Sequence, residues 1–117
     1  FEFASGLKAF LDDLAASKLA DRVAVLTFSE FGRTVAENGS AGTDHGTSGP
    51  VFLAGSGVKS GLAGTMPSLL DLDPKVGDLR TSVDFRRVYA SVLENWLELP
   101  AKAALGGEFE RLPLFRG

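Results

Sequence analysis

The feature that most constrains the fold of this 117-residue chain is an apolar run over residues 22–28. The run is nearly continuous, rich in β-branched and aromatic side chains, and does not alternate between apolar and polar residues. Strands of a parallel sheet covered by helices have this pattern, because both of their faces are buried. A second short apolar run follows at residues 51–54. Together the two runs predict an α/β fold with a mainly parallel sheet.

Helical periodicity flanks these predicted strands. Residues 4–20 carry four apolar side chains at the spacing of one helix face, and Ser5 is the expected N-cap. Residues 84–98 carry a second apolar stripe, and Thr81 with Asp84 resembles a capping box at its start. A helix followed by a buried strand is half of a βαβ unit, which agrees with the parallel sheet.

The composition excludes several classes of function. Twelve Lys and Arg residues against 15 Asp and Glu residues give a formal net charge of −3, so the chain has no electrostatic basis for binding nucleic acid. No apolar run approaches the ~18–20 residues that membrane insertion requires. The absence of cysteine excludes disulfides and thiolate zinc sites, and the single histidine, His45, excludes a catalytic zinc held by several imidazoles of this chain alone.

Residues 29–50 have no clear hydrophobic period and are rich in glycine. Nine of the 14 glycines lie between Gly32 and Gly64. Glycine at this density indicates backbone in unusual conformations or backbone held close to another group. We therefore expect an irregular loop of about twenty residues, a length that usually serves a function in a compact domain.

Candidate ligands stand at the ends of the predicted strands. Glu30 follows the first strand by two residues, and Asp44 and His45 precede the second. In an open α/β sheet, ligands bind outside the carboxyl ends of the strands. Glu30 is placed there directly, and the other two reach that edge if the loop folds back. Carboxylates with an imidazole can hold a divalent cation, which would polarise an ester oxygen or activate water.

Simpler interpretations of the same residues stay open at this point. Glu30 can cap a helix or form an ion pair. Asp44 and His45 can form an Asx-type turn with a solvated imidazole. Arg33 can clamp a phosphate or sulfate anion, but it can also pair with Glu37, four residues along the chain.

The loop contains the strings S-E-F-G-R at 29–33 and G-T-D-H-G-T at 42–47. With further similarity at 49–51 and 83–89, these strings resemble domain-of-unknown-function family 1501, of the alkaline phosphatase/sulfatase superfamily. The resemblance implies a three-layer α/β/α domain with a mainly parallel sheet. It implies that residues 1–117 are one segment, the C-terminal part of that larger domain. Nothing in the chain matches the portion that carries the superfamily's nucleophile, so the resemblance implies that the chain alone is inactive.

The superfamily's block Asp-His-Gly can be placed on this sequence in two ways. By spelling, it falls on Asp44, His45 and Gly46. By its position after a buried strand, it falls on Glu30 and Phe31, and His45 then takes the place of a later histidine ligand. We prefer the second placement because it follows chain geometry. Since Phe31 cannot bind a metal, this placement removes one imidazole from the site.

The resemblance implies a metal-binding segment of a hydrolase of phosphate or sulfate esters. Glu30, Asp44 and His45 would hold a divalent metal (Zn, Mn, Mg or Ca), and Arg33 would act as the catalytic contact to a small anionic ester. The full-length protein would then be a metal-dependent enzyme. The alternative is a non-catalytic binding or structural module that keeps the fold with a degenerate site.

Two further expectations concern the setting of the protein. The family resemblance implies an exported bacterial protein, periplasmic or extracellular. A segment of a parallel sheet also has strand edges without partners, so we expect self-association through exposed sheet edges.

Overall fold

The computed structural model describes residues 2–117, so Phe1, the first residue of the predicted segment, lies outside the described part. The described chain contains three α-helices, one short 3-10 helix and four short strands. In chain order these are α1 (Glu2–Ala16), the 3-10 helix (Ala20–Arg22), β1 (Val25–Leu26), β2 (Gly32–Glu37), β3 (Thr43–Gly46), β4 (Leu53–Ala54), α2 (Phe85–Asn95) and α3 (Ala101–Leu105).

The strands form two separate antiparallel pairs. β1 pairs with β4, with Val25 opposite Ala54, and β2 pairs with β3, with Arg33 opposite His45. The residues that the structure describes contain no parallel sheet. The predicted three-layer α/β/α domain with a mainly parallel sheet is therefore wrong, and the fold is a mixed arrangement of helices and small antiparallel ladders.

The connection between β1 and β4 explains the error. Parallel neighbours need a crossover that carries the chain back along the sheet, usually a helix. Here the connection contains the β2–β3 hairpin and no helix, so the chain re-enters beside β1 in the opposite direction. Of the apolar run 22–28, only residues 25–26 join a ladder, and the following Phe28 is 78% exposed.

Helix α1 confirms the predicted first helix with shifted bounds. Ser5 lies inside α1 and is not its N-cap. The apolar stripe is only partly covered, because Leu14 is buried but Phe3 and Phe10 are 60% and 45% exposed. Among the described elements, α1 contacts only the 3-10 helix that follows it.

Helix α2 confirms the second predicted helix but not its capping box. Asp84 is itself the N-cap, and its carboxylate accepts a hydrogen bond from the Arg86 amide at 2.9 Å. Thr81 instead contacts the hydroxyl of Ser48 at 3.1 Å. The Arg86 guanidinium also binds the Asp84 carboxylate, with Nη2 2.6 Å from Oδ2, and these bonds lower the pKa of Asp84 to about 2.

The best-buried apolar packing lies between α2, α3 and the C-terminal tail. Ala90, Ala101 and Phe115 are buried there, and Trp96 stacks on Phe115 with ring centroids 5.5 Å apart. The buried Ser91 hydroxyl donates to the Arg87 carbonyl at 2.7 Å and accepts from the Leu112 amide at 2.8 Å. The tail is thus attached to α2 by both apolar contact and hydrogen bonds.

The helices are short. α1, the longest, has 15 residues, whereas crossing a bilayer takes about 20 apolar residues. Within residues 2–117, no helix is long and apolar enough to cross a membrane.

Candidate functional site

Most of the glycine-rich stretch predicted to be an irregular loop forms a β-hairpin, so that prediction is wrong. The hairpin turn is organised by Asn38, whose side-chain oxygen accepts the amides of Ser40 and Gly42 at 2.9 and 3.1 Å. Ala41 takes a φ of 56° in this turn. Strands β2 and β3 then run back along each other, with an irregularity between Arg33 and Glu37.

Close backbone approach explains two of the hairpin glycines. Gly32 lies opposite Gly46 across the strands. A Cβ atom on Gly32 would lie 1.7 Å from the Ser48 carbonyl oxygen, and one on Gly46 would lie 2.6 Å from the backbone carbon of Arg33. Real Cβ contacts are essentially never that short, so both positions require glycine for space.

The strand register brings Arg33 and His45 onto one face. Directly opposite residues of an antiparallel pair project their side chains to the same side. Phe31 joins them, because its ring stacks on the His45 imidazole with centroids 3.5 Å apart and an angle of 14° between the planes. The Arg33 guanidinium carbon lies 5.4 Å from the centre of the Phe31 ring. We call these three side chains, Phe31, Arg33 and His45, the Arg33–His45 face.

Arg33 is held by the hairpin itself. Its Nη1 donates to the Thr43 carbonyl at 3.0 Å, and the side chain does not pair with Glu37 as one interpretation predicted. A guanidinium carries five N–H donors, so this bond leaves others for a ligand. Since Arg33 is exposed, these donors face solvent.

Asp44 does not join this face. It neighbours His45 on β3, and successive residues of a strand point to opposite sides. Its Oδ1 accepts from the Asn38 side-chain amide at 2.9 Å, and its backbone amide donates to the Thr34 hydroxyl at 3.0 Å. Because Asp44 and His45 belong to a strand, the interpretation as an Asx-type turn is wrong.

Glu30 lies in the connection between β1 and β2. Its side chain is exposed, and among residues 2–117 it forms no ion pair or side-chain hydrogen bond. The interpretations as a helix cap or an ion-pair partner therefore have no support in the described contacts.

The candidate ligands do not form a metal site as a set. In the described part of the chain, no three His, Cys, Asp or Glu side chains form a group that could hold a metal ion. Asp44 is directed away from His45, and one of its oxygens is already bound to Asn38. The three residues fit a metal only as single ligands.

Two residues that position the hairpin were not among the site residues predicted from sequence. Asn38 orients both the turn and Asp44, and the dipeptide Asn38-Gly39 is a hairpin signal that could have revealed it. Asp78 is 3% exposed and accepts the Thr47 amide at 2.6 Å, just beyond β3. Hydrogen bonds from the Thr47 and Leu79 amides lower the pKa of Asp78. No local pattern marks Asp78, because Thr47 is 31 residues away in sequence.

The chain matches a protein family but no individual curated protein or solved structure. The family model described as "Protein of unknown function (DUF1501)" matches residues 2–95, which include α1, the hairpin and α2. The chain therefore belongs to the DUF1501 family.

Proposed function

We propose that the Arg33–His45 face binds the anionic group of a phosphate or sulfate ester, and that the chain is a segment of a phosphatase/sulfatase-like hydrolase. The observation that carries this proposal is the register that sets Arg33 directly opposite His45. A guanidinium and an imidazole that share an exposed face offer several donors to a tetrahedral anion. The resemblance to the alkaline phosphatase/sulfatase superfamily supports the same class of substrate.

Arg33 is the proposed contact to the substrate. Its planar guanidinium can donate two parallel N–H bonds to phosphate or sulfate oxygens. The bond from Nη1 to Thr43 fixes the side chain over the hairpin, which reduces the conformational entropy that anion binding would cost. In this proposal the chain alone binds the anion but does not hydrolyse the ester, since it lacks a recognisable nucleophile.

The proposal includes a divalent metal (Zn, Mn, Mg or Ca), to which a residue of this chain would donate a single ligand. Because Glu30, Asp44 and His45 do not form a set, any one of them would contribute a single donor, and the remaining ligands would come from outside the described residues. When bound, such a metal would stabilise charge on an ester oxygen. Arg33 and His45 bind and orient the anion whether or not a metal is present.

Titration with inorganic phosphate, followed by NMR of the His45 ring protons, tests anion binding. His45 is the only histidine, so its signals are unambiguous. We expect saturable shifts in the wild type that disappear in Arg33→Ala. Arg116→Ala is the matched control, because it removes the same charge from the exposed tail. Equal shifts in wild type and Arg33→Ala would contradict the proposal.

Thermal unfolding with Zn²⁺, Mn²⁺, Mg²⁺ and Ca²⁺ tests the metal. A metal that binds only the folded chain stabilises it by about 2.7 kcal/mol at 100 times its dissociation constant. Stabilisation of the wild type that is lost in His45→Ala would identify His45 as a metal ligand of the folded chain. If no metal raises the melting temperature of the wild type, His45 is not a metal ligand in this chain.

One observation favours the alternative of a non-catalytic module. Phe31 packs on the one imidazole of the chain, and a phenyl ring cannot donate to a metal, so the side chain beside His45 adds no ligand to a metal site. A degenerate site would still bind an anion through Arg33. Binding of phosphate by the full-length protein without hydrolysis of phosphate or sulfate esters would favour this module over the enzyme.

We also propose that the chain associates with a second copy of itself through open sheet edges. Its accessible surface is 8722 Å², whereas a compact monomer of 12.3 kDa has about 6,100 Å². In the described residues, β1 and β4 pair only with each other, so each keeps an open edge. Sedimentation over a wide concentration range should show dimers or larger species, and a monomer throughout would exclude this. Export from a bacterial cell is a further proposal that rests on the family resemblance alone.

A further inference from the structure

Asp78 is a buried carboxylate outside the proposed binding face. It is 3% exposed, and none of the ion pairs in residues 2–117 includes it. Its two oxygens accept backbone amides: Oδ2 binds Thr47 N at 2.6 Å and Oδ1 binds Leu79 N at 2.7 Å. A buried carboxylate needs hydrogen-bond donors, and these two amides supply one to each of its oxygens.

The segment around Asp78 binds the chain just beyond β3 at several points. The Thr47 hydroxyl donates to the Leu79 carbonyl at 3.0 Å, and Ser48 contacts the Thr81 hydroxyl at 3.1 Å. The end of β3 is therefore attached to residues 78–81 as well as to β2.

Gly46 shows how tightly the end of β3 is enclosed. A Cβ atom at this position would lie 2.6 Å from the backbone carbon of Arg33 and 2.8 Å from Oδ2 of Asp78. The space beside Gly46 is thus bordered by both the β2 backbone and the Asp78 carboxylate. His45 is the next residue back along β3.

The register of β3 determines which way His45 points. A slip of one residue turns every side chain of a strand to its other face. The pairing of this hairpin is interrupted between Arg33 and Glu37. Near the turn, therefore, the pairing of β2 with β3 holds the register only weakly. The firm attachment lies at the opposite end, where Gly46 and Thr47 meet Asp78.

We propose that Asp78 is a positioning residue that holds β3 in register and thereby keeps the His45 ring stacked on Phe31 beside Arg33. Its relevance to ligand binding rests on the proposed function, but the positioning itself does not. Asp78 acts through the Thr47 amide and does not touch the ligand.

The test is NMR of the ligand-free protein. The Phe31 ring current shifts the His45 ring protons upfield in the stacked geometry, and Phe31→Leu measures how much of the shift it causes. We expect Asp78→Asn to remove most of this upfield shift, because the side-chain NH2 group replaces one of the two carboxylate oxygens and cannot accept the backbone N–H bound there. Asp73→Asn is the matched control: Asp73 lies in the same loop but its side chain caps only the Lys75 amide, at 2.8 Å. It should leave the shift unchanged.

Fluorescence of Trp96, the only tryptophan, reports whether each variant still folds, since Trp96 packs on Phe115 of the C-terminal tail. A folded Asp78→Asn protein with the wild-type His45 shift would overturn the proposal. If that variant does not fold, amide exchange of Thr47 in the wild type decides. Protection of this amide far above that of the exposed turn residue Gly39 supports the proposal, and exchange at the same rate overturns it.

These results are separable from the proposed function. Loss of the His45 shift in Asp78→Asn establishes positioning even if the wild type binds no phosphate. Conversely, phosphate binding by the wild type with an unchanged shift in Asp78→Asn supports the function and rejects the role of Asp78.

Discussion

The His45 imidazole lies flat against the ring of Phe31, with ring centroids 3.5 Å apart. On sequence alone Phe31 counts as a lost metal ligand, but in the structure it supports the one imidazole that the chain has. Stacking fixes the ring plane of His45, and the cross-strand pairing fixes the position of Arg33 beside it. A hydrophobic side chain thus orients the imidazole, and the strand ladder positions the guanidinium.

We expect Phe31→Leu to loosen His45 and to lower the free energy of unfolding by about 0.5–1.5 kcal/mol, the range for one aromatic pair. Urea unfolding followed by circular dichroism measures the loss. Phe28→Leu is the control, because Phe28 is 78% exposed and has no ring partner among the described residues. An equal loss in both variants would show that the stacking is not responsible.

Two glycine-to-alanine substitutions should have opposite effects. Gly46→Ala places a methyl group against the backbone of Arg33 and the carboxylate of Asp78, and we expect a loss of about 1–3 kcal/mol. Gly6 lies inside α1, and a methyl group added there would meet nothing within 4 Å beyond its chain neighbours and the backbone of the helix itself, so Gly6→Ala should stabilise the protein by about 0.4–1 kcal/mol. Calorimetry of both variants checks the signs, and stabilisation by Gly46→Ala would contradict the close approach.

Ser91→Ala should be the more damaging of two serine substitutions. The buried Ser91 hydroxyl accepts the Leu112 amide, and alanine would leave that amide without its partner at a cost of about 1–3 kcal/mol. Ser40→Ala, in the exposed hairpin turn, should change stability by less than about 0.5 kcal/mol. Equal denaturation midpoints for the two variants would be inconsistent with the attachment of the tail through Ser91.

The negative charge of Asp84 should stabilise the fold at neutral pH and lose this effect in acid. The pKa of Asp84 is lowered to about 2 in the fold, chiefly by the Arg86 side chain, whereas an unfolded aspartate titrates near 3.9. A depressed pKa stabilises the fold at pH values above the unfolded pKa, and this contribution is lost as the pH falls from about 5 to about 2.

Asp84→Asn tests this, since asparagine also caps helices but cannot carry the charge. The stability difference between wild type and Asp84→Asn should be constant near neutral pH and shrink through the acid range. High salt should reduce it at neutral pH, because the pair is partly exposed. A difference that does not change with pH would assign the effect to the cap alone.

The helices were predictable because their apolar residues recur with a clear period. The hairpin was not, since β2 and β3 have no apolar alternation and their glycines serve to admit neighbouring backbone at Ser48 and Arg33. The apolar run 22–28 led to a wrong prediction for the opposite reason: its sequence pattern is clear, but the fold does not follow it. It has the composition of a strand buried on both faces, yet only two of its residues join a ladder.

The candidate site was predictable in part. Glu30, Arg33, Asp44 and His45 were proposed from their chemistry, but which of them share a face depends on a strand register that local sequence does not contain. Asp78 was beyond prediction, because its partner Thr47 becomes its neighbour only through the fold.

The isolation of α1 has a consequence for how the protein opens. A helix of 15 residues is marginal in water by itself, and this one is supported by little more than the 3-10 helix and the buried Leu14. We therefore expect the α1 amides to exchange hydrogen through a local opening that leaves the α2–tail packing closed. The protein then has two cooperative units of unequal stability, and heating should melt the first before the second.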